Sequence, residues 1–94
     1  MINKVEISKR AEKDLRKVPK YITLNLAEWV RSVELEGLEN VRKLTGYHDE
    51  PLKGKRKGQS SIRLSRAYRA IYEIKNDNKI SFVSVEEVNK HDYS

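Results

Sequence analysis

The chain of 94 residues contains no cysteine, which excludes disulfides and thiolate metal sites. Its two histidines offer no ligand cluster of recognisable spacing, so no metal and no cofactor are expected. No apolar run approaches the ~20 residues that a membrane-crossing helix needs, and no signal-peptide pattern opens the chain. A cytoplasmic protein with no membrane partner follows as the expectation. Proline and glycine are scarce, with two and four copies. There is no repeat, low-complexity tract or linker, and the length suits one domain spanning residues 1–94.

Charge and apolar side chains are present in nearly equal measure, at 36% and 37%. Trp29, Phe82, five tyrosines and a good supply of Ile, Leu and Val are enough to build a core and argue against disorder. The net charge of +6 is concentrated. Lys53, Lys55, Arg56, Lys57, Arg63, Arg66 and Arg69 fall in one stretch that has no acidic residue, while the rest of the chain balances 13 basic against 14 acidic side chains. A concentrated field of this kind steers anions, of which nucleic acid is the most economical candidate. A solvated charge run is the alternative.

Val5 and Ile7 have strand spacing. Ser8 suits an N-cap for a helix through about Val18, with Ala11, Leu15 and Val18 on one face. A second amphipathic helix is predicted from Lys20 to Glu36, where Ile22, Leu26, Trp29, Val30 and Val33 recur at three- and four-residue intervals before Gly37. Leu38, Val41 and Leu44 suggest a short helical turn. Residues 45–58 hold Gly46, Pro51, Gly54 and Gly58 and read as loop. Ser61 to Ser65 and Tyr68 to Lys75 alternate like strands around a tight turn near Arg66, and Asn76-Asp77-Asn78 precedes a last strand from Ile80 to about Val88. The expected fold is α+β, in the order β-α-α-β-β-β, with two N-terminal helices packed on one face of a small antiparallel sheet and the other face left open.

If the hairpin turns at Arg66, Arg63 and Arg69 lie opposite each other on one face. Like charges directly across a sheet are destabilising by roughly 0.2–1 kcal/mol. Such a pair is tolerated when a neighbouring carboxylate, such as Glu73, or a bound phosphate lies between them. Arginine forks suit phosphate oxygens.

The ordered motifs Glu50-Pro51-Leu52-Lys53-Gly54, Ser61-Ile62-Arg63-Leu64, Tyr68-Arg69-Ala70-Ile71-Tyr72 and Lys90-His91-Asp92-Tyr93 resemble the RelE superfamily of bacterial toxins, nearest its YoeB and HigB branches. The resemblance runs over nearly the whole chain. It implies a ribosome-dependent mRNA endonuclease that enters the A site, inhibits translation and is silenced by a cognate antitoxin protein. Residues alone take the reading only as far as anion binding.

Carried to this chain, the resemblance implies that Glu50 is the general base for the 2′-hydroxyl and that Arg69 stabilises the phosphate charge. His91 would be the general acid, an imidazole being able to hold or release a proton near neutral pH. Tyr93 would stack on a base or orient the phosphate, and Arg63 stands where RelE carries a catalytic lysine. Lys53, Lys55, Arg56, Lys57 and Arg66 would hold the RNA backbone. His48, two positions from Glu50, is read as a bystander. Relatives that share the flanking residues often carry arginine or a large aromatic where this chain has Ser60. The resemblance therefore implies one phosphate contact fewer at the mouth of the site and an attenuated toxin. Two further classes stay open: a ParE-like toxin that poisons DNA gyrase, which Glu50 and His91 speak against, and a non-catalytic RNA- or ribosome-binding module.

Overall fold

Ser8 sets the first corner of the molecule. Its hydroxyl accepts from the Ala11 N–H at 3.0 Å and donates to the Glu86 carbonyl at 3.1 Å, capping one helix and tying it to a distant strand. In the computed structural model, which describes residues 1–90, this cap separates β1 (Val5–Ile7) from α1 (Lys9–Leu15). The helix stops three residues before the expected Val18. Val18 precedes Pro19, whose ring disfavours helical backbone in the residue before it, and Arg16 and Lys17 close a tighter turn onto the Lys13 and Asp14 carbonyls.

The second helix, α2 (Lys20–Glu36), has the predicted bounds, and α3 (Leu38–Val41) follows at once. Gly37 joins them with φ +86°, and a Cβ built there would come within 2.6 Å of the Met1 side chain, so both backbone conformation and space call for glycine. Ile22, Leu26, Trp29 and Val33 of α2 are buried together with Ala11, Leu38 and Val41. They pack on Ile62, Leu64, Ala70, Tyr72, Val83, Val85 and Val88 from the sheet. Burying each of the Val, Leu and Ile side chains contributes roughly 1.5–3 kcal/mol. Trp29 and Tyr72 meet with ring centroids 5.3 Å apart.

The sheet runs β1-β5-β4-β3-β2, with β2 at Glu50–Pro51, β3 at Gln59–Arg63, β4 at Tyr68–Asp77 and β5 at Ile80–Lys90. Two features depart from the expected order. First, β2 arises inside the segment read as loop, where Glu50 pairs with Ser61 and Pro51 with Ser60. Proline is acceptable there because the strand is at the edge. Second, β1 joins β5 in parallel, with Val5 opposite Val83, so the sheet is mixed rather than wholly antiparallel. The helices form the crossover that a parallel pairing requires. One further irregularity matters for the site. On β5 an extra residue lies between the Ile71–Glu87 and Tyr72–Val85 pairs, a bulge that turns Val85 and Val88 to the core and Glu87 to the opposite face.

Candidate anion-binding cleft

The hairpin register follows the sequence expectation: Arg63 on β3 is paired with Arg69 on β4. The turn between them is closed by the Ser65 hydroxyl, which accepts from the Ala67 and Tyr68 N–H groups at 3.2 and 3.1 Å. Beside the arginine pair is a cleft of about 160 Å³ lined by His48, Glu50, Ser61, Arg63, Ser65, Arg66, Tyr68 and Arg69. Glu50 is brought there by its pairing with Ser61, two residues before Arg63 on β3. His48 reaches it from a left-handed backbone conformation (φ 49°, ψ 47°) that follows a 3-10 turn at Thr45–Tyr47.

The electrostatics of this cleft are incomplete. The Arg69 Nε–H is buried and has no hydrogen-bond partner among the described residues. An orphaned buried donor costs about 1–3 kcal/mol, and more when charged. Arg63 is exposed and has no ion pair among the described residues. Glu73 does not relieve the arginine pair. It stands opposite Gln59, whose Nε2 donates to it at 3.3 Å, and it pairs with Lys75 at 3.6 Å.

The remaining expected site residues divide. Lys53, Lys55 and Lys57 are exposed on the loop before β3 and do not line the cleft. Arg56, expected to hold RNA, is committed within the protein. Its guanidinium donates to both Glu87 carboxylate oxygens at 2.9 and 3.2 Å and to Gln59 Oε1 at 3.1 Å. Because Ile71 is paired between Ser61 and Glu87, this fork crosses β4 on the open face. Arg10 also approaches Glu87, at 3.4 Å. The Arg56 fork, then Coulombic attraction to Arg56, Arg10 and Arg69, holds the Glu87 carboxyl below its ordinary range against the opposing effect of burial.

Ser60 lies away from the cleft. It pairs with Tyr72, is 8% exposed, and lines a separate hollow with Arg42, Asp49 and Pro51. Its side chain is therefore not at the mouth of the arginine site, and the attenuation expected from a missing phosphate contact there does not follow from this geometry. His91 and Tyr93 lie outside the described residues.

Three residues that the sequence reading passed over form a second network behind β2. The Tyr72 hydroxyl donates to Asp49 Oδ2 at 2.7 Å and accepts from Arg42 Nε at 3.0 Å. Burial and the Asp49 carboxylate push the tyrosine up to about 12, and burial raises the Asp49 carboxyl despite the Tyr72 hydrogen bond and the nearby Arg42 charge. This clamp fixes the residue between His48 and Glu50. Nothing in a loop aspartate and a core-facing tyrosine 23 positions apart marks them as partners. The overlooked cleft residue, His48, was detectable only by its nearness to Glu50.

A family model described as the ParE toxin of the type II toxin–antitoxin system parDE matches residues 5–88. The chain belongs to this ParE toxin family. Solved structures agree on the fold. The YafQ protein from E. coli strain BL21(DE3) superposes with a TM-score of 0.73 at 18% identity, covering 95% of this chain and 93% of that one. The archaeal RelE–RelB complex from Pyrococcus horikoshii OT3 gives 0.71 at 23% identity, with complete coverage of both chains. A YoeB/ParE toxin from Agrobacterium tumefaciens gives 0.70 at 16% identity, covering 95% and 99%. No curated protein sequence matches the chain. In this ParE-family member no described helix is long and apolar enough to cross a membrane.

Proposed function

We propose that this toxin-family protein is an mRNA endonuclease that works in the ribosomal A site and cuts the phosphodiester by internal transfer. The observation that carries the reading is the buried Arg69 Nε–H, unpartnered among the described residues, on an arginine that lines one cleft with Arg63 and Glu50. A phosphodiester supplies the acceptor that this donor lacks, and the carboxylate supplies a base next to it.

In this reaction Glu50 takes the proton of the 2′-hydroxyl. The 2′-oxygen attacks phosphorus, the bond to the 5′-oxygen breaks, and His91 protonates that leaving oxygen. The products are a 2′,3′-cyclic phosphate and a free 5′-hydroxyl. Arg69 and Arg63 balance the charge that builds on the phosphorane oxygens, and Tyr93 orients the phosphate or stacks on a base. Lys53, Lys55, Lys57 and Arg66 hold the flanking backbone. The transfer needs no metal ion. The cleft would be silenced by a cognate antitoxin that offers carboxylates to the same arginines, as expected for a cytoplasmic toxin–antitoxin pair.

Primer extension on mRNA from a translating system tests the proposal. Discrete cuts within codons are expected, and Arg69→Ala or His91→Ala should abolish them. The name of the matching family favours one second reading, a ParE-like poison of DNA gyrase. Intact mRNA together with stabilised gyrase–DNA breaks would establish it. Binding to ribosomes or mRNA without cuts would instead mark a non-catalytic module.

A further inference from the structure

We propose that His48 is a substrate contact of the cleft, its imidazolium pairing with an RNA phosphate alongside Arg63 and Arg69. The inference rests on the reading that this cleft takes RNA. It starts from the placement of an exposed imidazole on the cleft wall, where no described side chain donates to it or accepts from it. Its position is set from both sides. The His48 N–H is bonded to the Thr45 carbonyl at 3.1 Å, and the next residue is clamped by Tyr72 at 2.7 Å. Asp49 lines the hollow with Arg42 and Ser60, whereas His48 and Glu50, on either side of it, line the cleft. The chain thus presents an imidazole and a carboxylate together to a pair of arginines.

The charged and titratable groups facing His48 are Glu50 from β2, Arg63 from β3, Arg66 from the turn, and Tyr68 and Arg69 from β4. On its own segment Asp49 is occupied with Tyr72 and Arg42. Arginines keep their charge throughout the accessible range, whereas imidazole changes charge between about pH 5 and 8. A phosphate held partly by His48 is therefore held more tightly in mild acid than in mild base, a property the arginines alone cannot confer.

The test measures the affinity of a 2′-O-methyl RNA oligonucleotide, which cannot undergo internal transfer, from pH 5.5 to 8 at fixed salt. The intact chain and His48→Asn are compared, asparagine being chosen because it accepts the left-handed backbone. Affinity of the intact chain should fall about tenfold across this range, the scale of one charge-assisted hydrogen bond. The fall should be largely lost in His48→Asn. In the intact chain, the His48 ring resonances should also shift when the oligonucleotide is added, a readout that needs no variant to fold. Full pH dependence in His48→Asn, or unmoved ring resonances, would overturn the proposal, as would failure to bind the oligonucleotide at any pH. pH-dependent binding through His48 without any mRNA cut would sustain the contact and remove the nuclease reading alone.

Discussion

The two halves of the basic stretch, the loop at 53–58 and the hairpin at 63–69, look alike as charge but differ in what the fold does with them. In the loop, Arg56 is neutralised by a bidentate fork to Glu87, a carboxylate whose side chain is only 9% exposed. In the hairpin, Arg63 and Arg69 are paired across β3 and β4 with no ion pair among the described residues, Glu87 attracting Arg69 only at longer range, and the buried Arg69 Nε–H has no hydrogen-bond partner among those residues. The fold thus satisfies one arginine internally and leaves an unmet donor on another, and the proposed anion site rests on that asymmetry. Counting cations in a sequence therefore overstates the contacts available to an anion, because some of them hold the protein together.

The difference can be broken most strongly at its two arginines. Arg69→Ala should lower mRNA cleavage about 10²–10³-fold, the scale of removing one preorganised charge-stabilising donor, while changing the unfolding free energy in urea by less than about 1 kcal/mol. Arg56→Ala should do the reverse: modest loss of cleavage, with a stability loss of about 1–3 kcal/mol because it strips a buried carboxylate of its main partner. Equal loss of cleavage in both variants would erase the distinction between the two halves.

Ser60→Arg sharpens the contrast from the other side of the sheet. It places a long cation at a buried position beside Arg42, so stability should fall by about 1–3 kcal/mol. Affinity for RNA should not rise, as filter binding of a labelled oligonucleotide would show. A gain in affinity would mean that the arginine reaches the cleft after all.

Glu87→Gln should have a smaller effect, about 1–2 kcal/mol at neutral pH, because Arg56 and Arg10 are themselves largely exposed. The folded carboxyl of Glu87 lies below its unfolded value. Its contribution is thus fully present above the ordinary carboxylate range and is lost as pH falls through the lowered folded value. Urea midpoints measured from neutral pH into acid should fall less steeply for Glu87→Gln than for the parent.

The parts of the fold that were legible in the sequence are those with local causes. The helical period from Ile22 to Val33, ended by Gly37, delimited α2, and the alternation around Arg66 set the Arg63–Arg69 register. Edges and long-range pairings were not legible. Two residues cannot show alternation, so β2 was hidden, and the parallel partner of Val5 is Val83, 78 positions away. The same holds within the site. Arg56 and Glu87 are 31 positions apart, and the bulge on β5 decides which face Glu87 takes. Ser60 was misplaced because the strand was expected to start at Ser61; once β3 includes Ser60, its three-residue offset from Arg63 puts it on the other face. His48 was set aside because a left-handed residue before an edge strand has no signature in composition.

The proposed function requires the Arg69 Nε–H, buried and unpartnered among the described residues, to take a phosphate oxygen. The resonance of that N–H, followed by ¹H–¹⁵N NMR during addition of the 2′-O-methyl RNA oligonucleotide, tests it most directly. A downfield shift with slowed solvent exchange, while the Arg56 N–H signals stay in place, is the predicted result. An unmoved Arg69 signal in the presence of bound RNA would contradict it.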